Sequence, residues 1–279
     1  MAIKDILLKH GFRFNKKYGQ NFISDANLLS SIAELSGITE NDAVIEIGVG
    51  AGTLTRELAA RCKRVTGYEI DPKLKPVLEE TLSGVENAVV VFKDVLSVKT
   101  EEIEREAGGE YCVVANLPYY ITTPVIMKFI EEAKFCRKLV IMVQEEVAER
   151  LCAKENTPEY GAITASVSVC GDAKIVKKVP RTVFYPVPNV DSAVVKIDIG
   201  PLKYGVTDAE FYRKTVRAAF SNRRKTLVNN IMLSFGLPRV KAEDVLKSAG
   251  IDLLARGETL SAEKFASLSF ALKTAIDKN

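Results

Sequence analysis

The sequence predicts an α/β protein: a mostly parallel, doubly wound sheet followed by a small C-terminal helical domain. Three observations carry this expectation. Short apolar runs alternate with stretches of helical spacing across residues 43–143. The runs are continuous Val/Ile stretches, as expected for strands covered by helices on both faces. Beyond residue 205 the apolar spacing is helical throughout, through Phe211, Val216, Phe220, Leu227, Ile231, Val245, Leu246, Phe265, Leu268 and Leu272.

Taken in order, Ala43-Val-Ile-Glu-Ile-Gly48 reads as a first strand ending in glycines, and Thr53 to Cys62 as a helix with Leu54, Leu58 and Ala59 on one face. Arg64 to Ile70 is the second strand. Asp71-Pro72 then supplies an N-cap and a first-turn proline, a helix start. Ala88–Phe92, Tyr111–Ala115 and Leu139–Val143 are the third to fifth strands. Residues 162–169 are rich in β-branched side chains, but the α/β rhythm assigns them to a helix. Lys174–Val179 and Ala193–Ile199 read as late strands forming an antiparallel edge. The charge balance shifts at about residue 204: residues 205–279 carry 13 Lys/Arg and 8 Asp/Glu, whereas the preceding part is slightly acidic. This shift places the expected boundary between domains 1–204 and 205–279.

Composition excludes several classes. Hydrophobic residues make up 47% of the 279, enough for a substantial core. No run of about 18 uncharged apolar residues is present, so a membrane span is not expected. The N-terminus lacks the basic and apolar regions of a signal peptide, and the five cysteines are widely spaced without a C-x-x-C; together these fit a cytoplasmic location. One histidine, His10, cannot supply a Ser-His-Asp triad or a multi-histidine metal site. It is expected on a basic N-terminal surface, and no metal is expected. The chemistry must then run on carboxylates, amides, aromatics, backbone groups or an organic cofactor.

The first strand runs into Glu46-Ile-Gly-Val-Gly-Ala-Gly52. Glycines there let backbone approach a ligand closely. A dinucleotide fingerprint would need glycine at position 53, which is Thr. The spacing actually present, an acid two residues before G-x-G-x-G, resembles motif I of the class I S-adenosylmethionine-dependent methyltransferases. Glu69, at the end of the second strand, can accept both hydrogen bonds of a ribose diol, and Asp94, after the third, can accept from an adenine amine. Either acid alone reads as a solvated strand-end carboxylate; the three elements together, on the carboxyl edge of one sheet, point to a cofactor.

The fourth strand ends in Asn116-Leu117-Pro118-Tyr119. An adenine N6 amine is a poor nucleophile because its lone pair is delocalised into the ring. Two acceptors aimed at its N–H bonds, the Asn116 side-chain oxygen and by analogy the Leu117 carbonyl, would favour sp³ character and line the nitrogen up with a methyl donor. Pro118 would fix the turn, and Tyr119 would offer a flat face for the base. No general base is needed, and orientation can supply on the order of 7–11 kcal/mol. The segment Val179 to Ser192 carries Pro180, Pro186 and Pro188, and it reads as a stiff exposed loop. Phe184, with Tyr185, is expected there to stack on the far face of an extruded base.

Gln20-Asn21-Phe22, the glycine loop, Tyr68-Glu-Ile-Asp71, Phe92-Lys-Asp94, the Asn116 tetrapeptide and the Val183–Val194 segment occur in this order. Together, from about residue 16 to 225, they closely resemble the ribosomal small-subunit RNA adenine dimethyltransferases. The resemblance implies a class I, Rossmann-like methyltransferase fold with a mostly parallel seven-stranded sheet and a C-terminal helical RNA-recognition domain. It also implies S-adenosylmethionine-dependent dimethylation of N6 on two adjacent adenosines in a 3′-terminal hairpin loop of small-subunit rRNA. Asn21, Ile23, Gly48, Glu69, Asp94 and Asn116 would contact the cofactor. The partner would be rRNA in an immature small ribosomal subunit, the enzyme a monomer, and its action coupled to subunit maturation. Val49-Gly-Ala51 departs from the Pro-Gly-Leu of many members but keeps the glycines.

Phosphate contacts are expected from Arg213, Arg217, Arg223, Arg224 and Lys225, within a stretch containing no acid, with a helix placing Arg213 and Arg217 on one face. Lys4, Lys9, Arg13, Lys16 and Lys17 add a second basic segment. Other readings are a large-subunit adenine methyltransferase of the antibiotic-resistance type, a non-catalytic RNA-binding, assembly or transcription factor, and a nicotinamide dehydrogenase. The C-terminal domain and proline-bearing segment disfavour the first. The acids with Asn116 disfavour the second. Thr53 and the lack of an acid–base residue disfavour the third.

Overall fold

The computed structural model describes residues 3–15 and 18–277; Lys16 and Lys17 of the basic N-terminal segment lie outside them. Nine strands are present among these residues: β1 (Phe22–Ile23), β2 (Ala43–Ile47), β3 (Arg64–Tyr68), β4 (Ala88–Val91), β5 (Tyr111–Asn116), β6 (Cys136–Gln144), β7 (Gly171–Val179), β8 (Phe184–Tyr185) and β9 (Ser192–Ile199). Seven form one sheet in the order β4-β3-β2-β5-β6-β9-β7. The strands from β4 to β6 run parallel, and β9 is antiparallel to β6, as the late-strand pattern predicts.

The Val/Ile runs are buried where neighbours cover both faces. Val44, Val65, Val113, Val114, Val140 and Val194 are each at most 1% exposed. The edge strand β4 is the exception, with Val89 47% exposed. The helix after β2 is shorter than the expected Thr53–Cys62: it ends at Ala59, capped by Ala60.

The contacts divide the chain into two compact units, residues 1–148 with 174–199, and residues 149–173 with 200–279. This differs from a single cut at 204/205, because residues 149–173 group with the C-terminal helices. The cause is specific pairing that lies far apart in sequence. The Tyr160 hydroxyl donates to the Leu260 carbonyl (2.8 Å), and the Tyr212 hydroxyl to the Ala165 carbonyl (3.0 Å). The helix Ala162–Ser168 therefore forms as expected but belongs to the second unit. That unit is otherwise built from the helices Ala209–Ala219, Leu227–Phe235, Arg239–Ser248 and Ala262–Asp277 around Tyr212, Val216, Leu227, Ile231, Phe265 and Leu268.

Register positions the functional edge. Ile47 pairs with Tyr68 on one side and Ala115 on the other, so the next residues, Gly48, Glu69 and Asn116, stand side by side at the carboxyl edge. Gly67 on β3 permits the glycine loop to fold back onto the sheet: a Cβ there would stand 2.4 Å from Val49 Cγ2. Gly67→Ala is expected to destabilise the protein by about 1–3 kcal/mol through overpacking. Adding Val49→Ala should recover most of that loss. Urea denaturation checks both; an additive double variant would refute the clash.

Candidate active site

A cleft of about 240 Å³ opens at the carboxyl edge. Its wall includes Asn21, Ile23, Gly48, Glu69, Asp94, Asn116, Leu117, Pro118, Tyr119 and Phe184, whereas Tyr185, expected beside Phe184 at the target base, does not line it.

The glycine loop is left-handed at three positions, with φ of 75° at Gly48, 59° at Gly50 and 77° at Gly52. Side-chain-bearing residues rarely take such angles, which accounts for the alternate glycines. At Gly48 space matters too, since a Cβ would lie 3.4 Å from the Asn116 carbonyl oxygen. The loop is tied to β3 by Glu69, which accepts from the Gly50 N–H (2.8 Å) and the Asp71 N–H (2.9 Å). Glu69 is 5% exposed, and burial pushes its pKa up against those hydrogen bonds. Asp94 is exposed at the rim; one of its oxygens accepts from the Leu96 N–H (2.9 Å), capping a short helical turn.

Asn116 has a decided orientation. Its Nδ2 donates to the Asn21 carbonyl (3.1 Å), a contact across 95 residues of sequence. That bond takes one of the two amide N–H donors and turns the side-chain oxygen away from Asn21, leaving it to accept. Leu117 is anchored by its N–H to the Met142 carbonyl (3.3 Å), and Pro118, at φ −56°, starts the short turn Tyr119–Ile121. Asn21 is steadied by its own amide donating to the Gly19 carbonyl (3.2 Å).

Phe184 is a correction. It is 3% exposed and not on an exposed loop. Phe184–Tyr185 pairs antiparallel with Phe22–Ile23, in a two-stranded sheet separate from the main one. The flanking prolines bar a longer strand, while two residues suffice to bury the ring against Leu28, Ile32 and Val179. Its partner Tyr185 packs edge-on against Phe14, with Lys4 over its ring.

The basic residues separate. Arg217, Arg224 and Lys225 are exposed. Arg213 is 7% exposed, so it is not part of an open phosphate-facing surface. It follows Tyr212 on the face of Ala209–Ala219 that packs inward, and the burial boundary falls between it and Arg217. Arg223 is exposed but engaged, its Nη2 donating to the Pro158 and Tyr160 carbonyls, both at 3.0 Å. At the N-terminus, Lys9 and His10 both reach Glu80, at 2.8 and 2.7 Å.

Sequence reasoning assigned no role to Glu46, Gln20, Tyr18 or Tyr120, all of which line the cleft. Gln20 donates to Asp71 (2.8 Å), joining the N-terminal segment to the end of β3. The Tyr119-Tyr120 doublet was the available signal for Tyr120. Glu46 is the more informative omission. It is 1% exposed, its Oε2 has no hydrogen-bond partner among the described residues, and burial with the nearby Glu69 raises its pKa to about 8. A buried, unpartnered acid that holds its proton at neutral pH can ionise beside a ligand carrying positive charge.

The family description "ribosomal RNA adenine dimethylase" matches residues 11–273. The chain belongs to this family. A relative from Bacillus licheniformis named ribosomal RNA small subunit methyltransferase A is 46% identical over 97% of this chain and 95% of its own length. One from Bacillus mycoides with the same name is 46% identical over 96% and 94%. Among solved structures, a dimethyladenosine transferase from Plasmodium falciparum aligns with a TM-score of 0.77 at 26% identity, over 91% of this chain and 98% of that one. The 23S rRNA methyltransferase ErmE aligns at 0.68 and 30% identity, over 90% and 99%. The fold is that of the class I rRNA methyltransferases.

The family is of the S-adenosylmethionine-dependent class, and the residues fit that cofactor: Glu46, with an unpartnered oxygen, lines the cleft with Glu69 and Asp94, and acids there would suit a molecule that carries a sulfonium and an ammonium. Among the described residues no group of three or more His, Cys, Asp or Glu could hold a metal ion, and no helix is long and apolar enough to cross a membrane.

Glu46 has a pH consequence. Its folded pKa, about 8, lies above the ordinary 4.5, so the folded chain holds a proton that the unfolded chain releases. Stability from this group is full below pH 4.5 and declines as pH rises to 8. Relative to Glu46→Gln, the wild type should lose roughly 2–4 kcal/mol between pH 5 and 8. Denaturant titrations across that range check this, and a pH-independent difference would contradict it.

Proposed function

We propose that the protein transfers methyl groups from S-adenosylmethionine to N6 of adenine in small-subunit ribosomal RNA, producing N6,N6-dimethyladenosine at two adjacent adenosines of a 3′-terminal hairpin loop. The observation that carries this reading is Asn116 in the wall of the cleft, one amide N–H held by the Asn21 carbonyl and its side-chain oxygen left to accept. An amine substrate needs an acceptor at that point; a carbonyl substrate would need a donor.

When bound, the cofactor supplies an electrophilic methyl on sulfur. The chain's own residues do the rest. Glu69 holds the ribose diol and Asp94 the adenine amine, with Gly48, Asn21 and Ile23 closing around the ligand. The Asn116 oxygen and the Leu117 carbonyl accept the two N–H bonds of the target amine. Tyr119 takes a face of the extruded base, with Phe184 backing the wall of the cleft and Pro118 setting the turn between acceptors and platform. The extra proton leaves the product nitrogen for solvent, so no histidine is required.

The second unit is read as the RNA-recognition part, with Arg217, Arg224 and Lys225 as its phosphate contacts. Arg223 acts there by holding the 158–160 loop. The substrate is read as an immature small subunit, and the enzyme as a cytoplasmic monomer that uses no metal. The likeness to ErmE favours a second reading, action on large-subunit RNA. The 46% identity to small-subunit enzymes over nearly the whole chain favours the first.

Labelled cofactor should methylate small subunits lacking the modification, with dimethyladenosine in digested RNA; label only in large-subunit RNA would establish the second reading. Asn116→Ala should lower turnover on the order of 100- to 1000-fold, the scale of losing a transition-state hydrogen bond, with cofactor affinity changed little. Turnover near wild type would remove the role. Arg224→Gln with Lys225→Gln should weaken RNA binding and reduce the salt slope by about one per lost phosphate contact. An unchanged slope would make them bystanders.

A further inference from the structure

Ser192 is fully buried at the start of β9, followed by Ala193, Val194 and Val195. A buried hydroxyl in such a strand is costly unless it is paired, and alanine would pack there without that cost. Its partner is Tyr119: the two hydroxyl oxygens are 3.1 Å apart across 73 residues of sequence. Tyr119 itself is half-buried, while the Ser192 that its hydroxyl meets is fully buried.

The backbone on the Ser192 side is clamped. Asp191, just before it, accepts the Arg181 N–H on its carboxylate (2.8 Å) and the Glu145 N–H on its carbonyl (3.1 Å). Arg181 Nη1 reaches the Asn189 carbonyl (3.0 Å), and Ser192 is in register with Gln144 on β6. On the other side, Tyr119 follows Pro118 in a turn of three residues. A ring hinged at Cα–Cβ and held at its hydroxyl has the direction of its long axis set, and with it the place its faces occupy.

We propose that Ser192 is a positioning residue for methyl transfer: through the Tyr119 hydroxyl it fixes the long axis of the aromatic platform, so that the proline-bearing segment, besides placing Phe184, sets where the target base is presented. This rests on the reading of Tyr119 as the base platform, and the variants separate the two.

Ser192→Ala and Tyr119→Phe should each lower kcat/KM for RNA by about 3- to 10-fold, the range for one hydrogen bond. The double variant should lose no more than either single one. Cofactor affinity should stay within about twofold of wild type. With 2-aminopurine at the target adenosine, fluorescence quenching on binding should weaken in both variants, a signal that mere loss of strand stability would not move. If Ser192→Ala folds poorly, Tyr119→Phe, altered on the half-buried side, carries the test alone. Wild-type kinetics and quenching in Tyr119→Phe, or additive losses, would overturn the proposal. Tyr119→Ala distinguishes the layers: a large loss there with wild-type Tyr119→Phe sinks only the positioning role, whereas no loss in Tyr119→Ala sinks the platform.

Discussion

One hydrogen bond, from the Asn116 amide to the Asn21 carbonyl, decides what this edge of the sheet can bind. A carboxamide can face a ligand as donor or acceptor, and the choice depends on which end is already engaged. Here one N–H is engaged by a segment 95 residues earlier, which fixes the amide's orientation and leaves its oxygen to accept. The same bond draws the N-terminal segment over the tip of β5, where Gly48 passes so close to the Asn116 carbonyl that a larger residue would crowd it.

Around it the electrostatics are consistent. Glu46 and Glu69 are buried acids whose pKa values burial raises, and Asp94 sits at the rim. Such acids would be a liability in an empty core, and they suit a site completed by a cation. None needs to act as a proton-transfer catalyst. The chain has one histidine, engaged with Glu80 at the N-terminus, and the reaction it supports asks mainly for alignment.

Much of this was legible in the sequence because the relevant physics is local. Val/Ile runs report strands, alternating glycines report left-handed backbone, and an acid or amide at a strand end reports the carboxyl edge; Gly48, Glu69, Asp94 and Asn116 all converge where those signals put them. The failures are non-local. Residues 149–173 join the second unit through Tyr160 and Tyr212, pairings that no periodicity encodes. Three prolines around Phe184 suggested an exposed loop, yet two residues of strand pairing with Phe22–Ile23 bury the ring. Helical spacing put Arg213 and Arg217 on one face, but burial depends on what packs beside that face, and the boundary runs between them. Glu46 was visible as an acid in the glycine motif; its missing partner could be seen only once Glu69 and the loop were placed around it.

The most direct test is a crystal structure of the protein with bound S-adenosylmethionine. The account predicts the ribose at Glu69, the adenine at Asp94, and the methyl-bearing sulfur directed at the Asn116–Tyr119 tip with the Asn116 oxygen still facing the cleft. A sulfonium pointing away from that tip, or an Asn116 amide turned to present its NH₂, would contradict it.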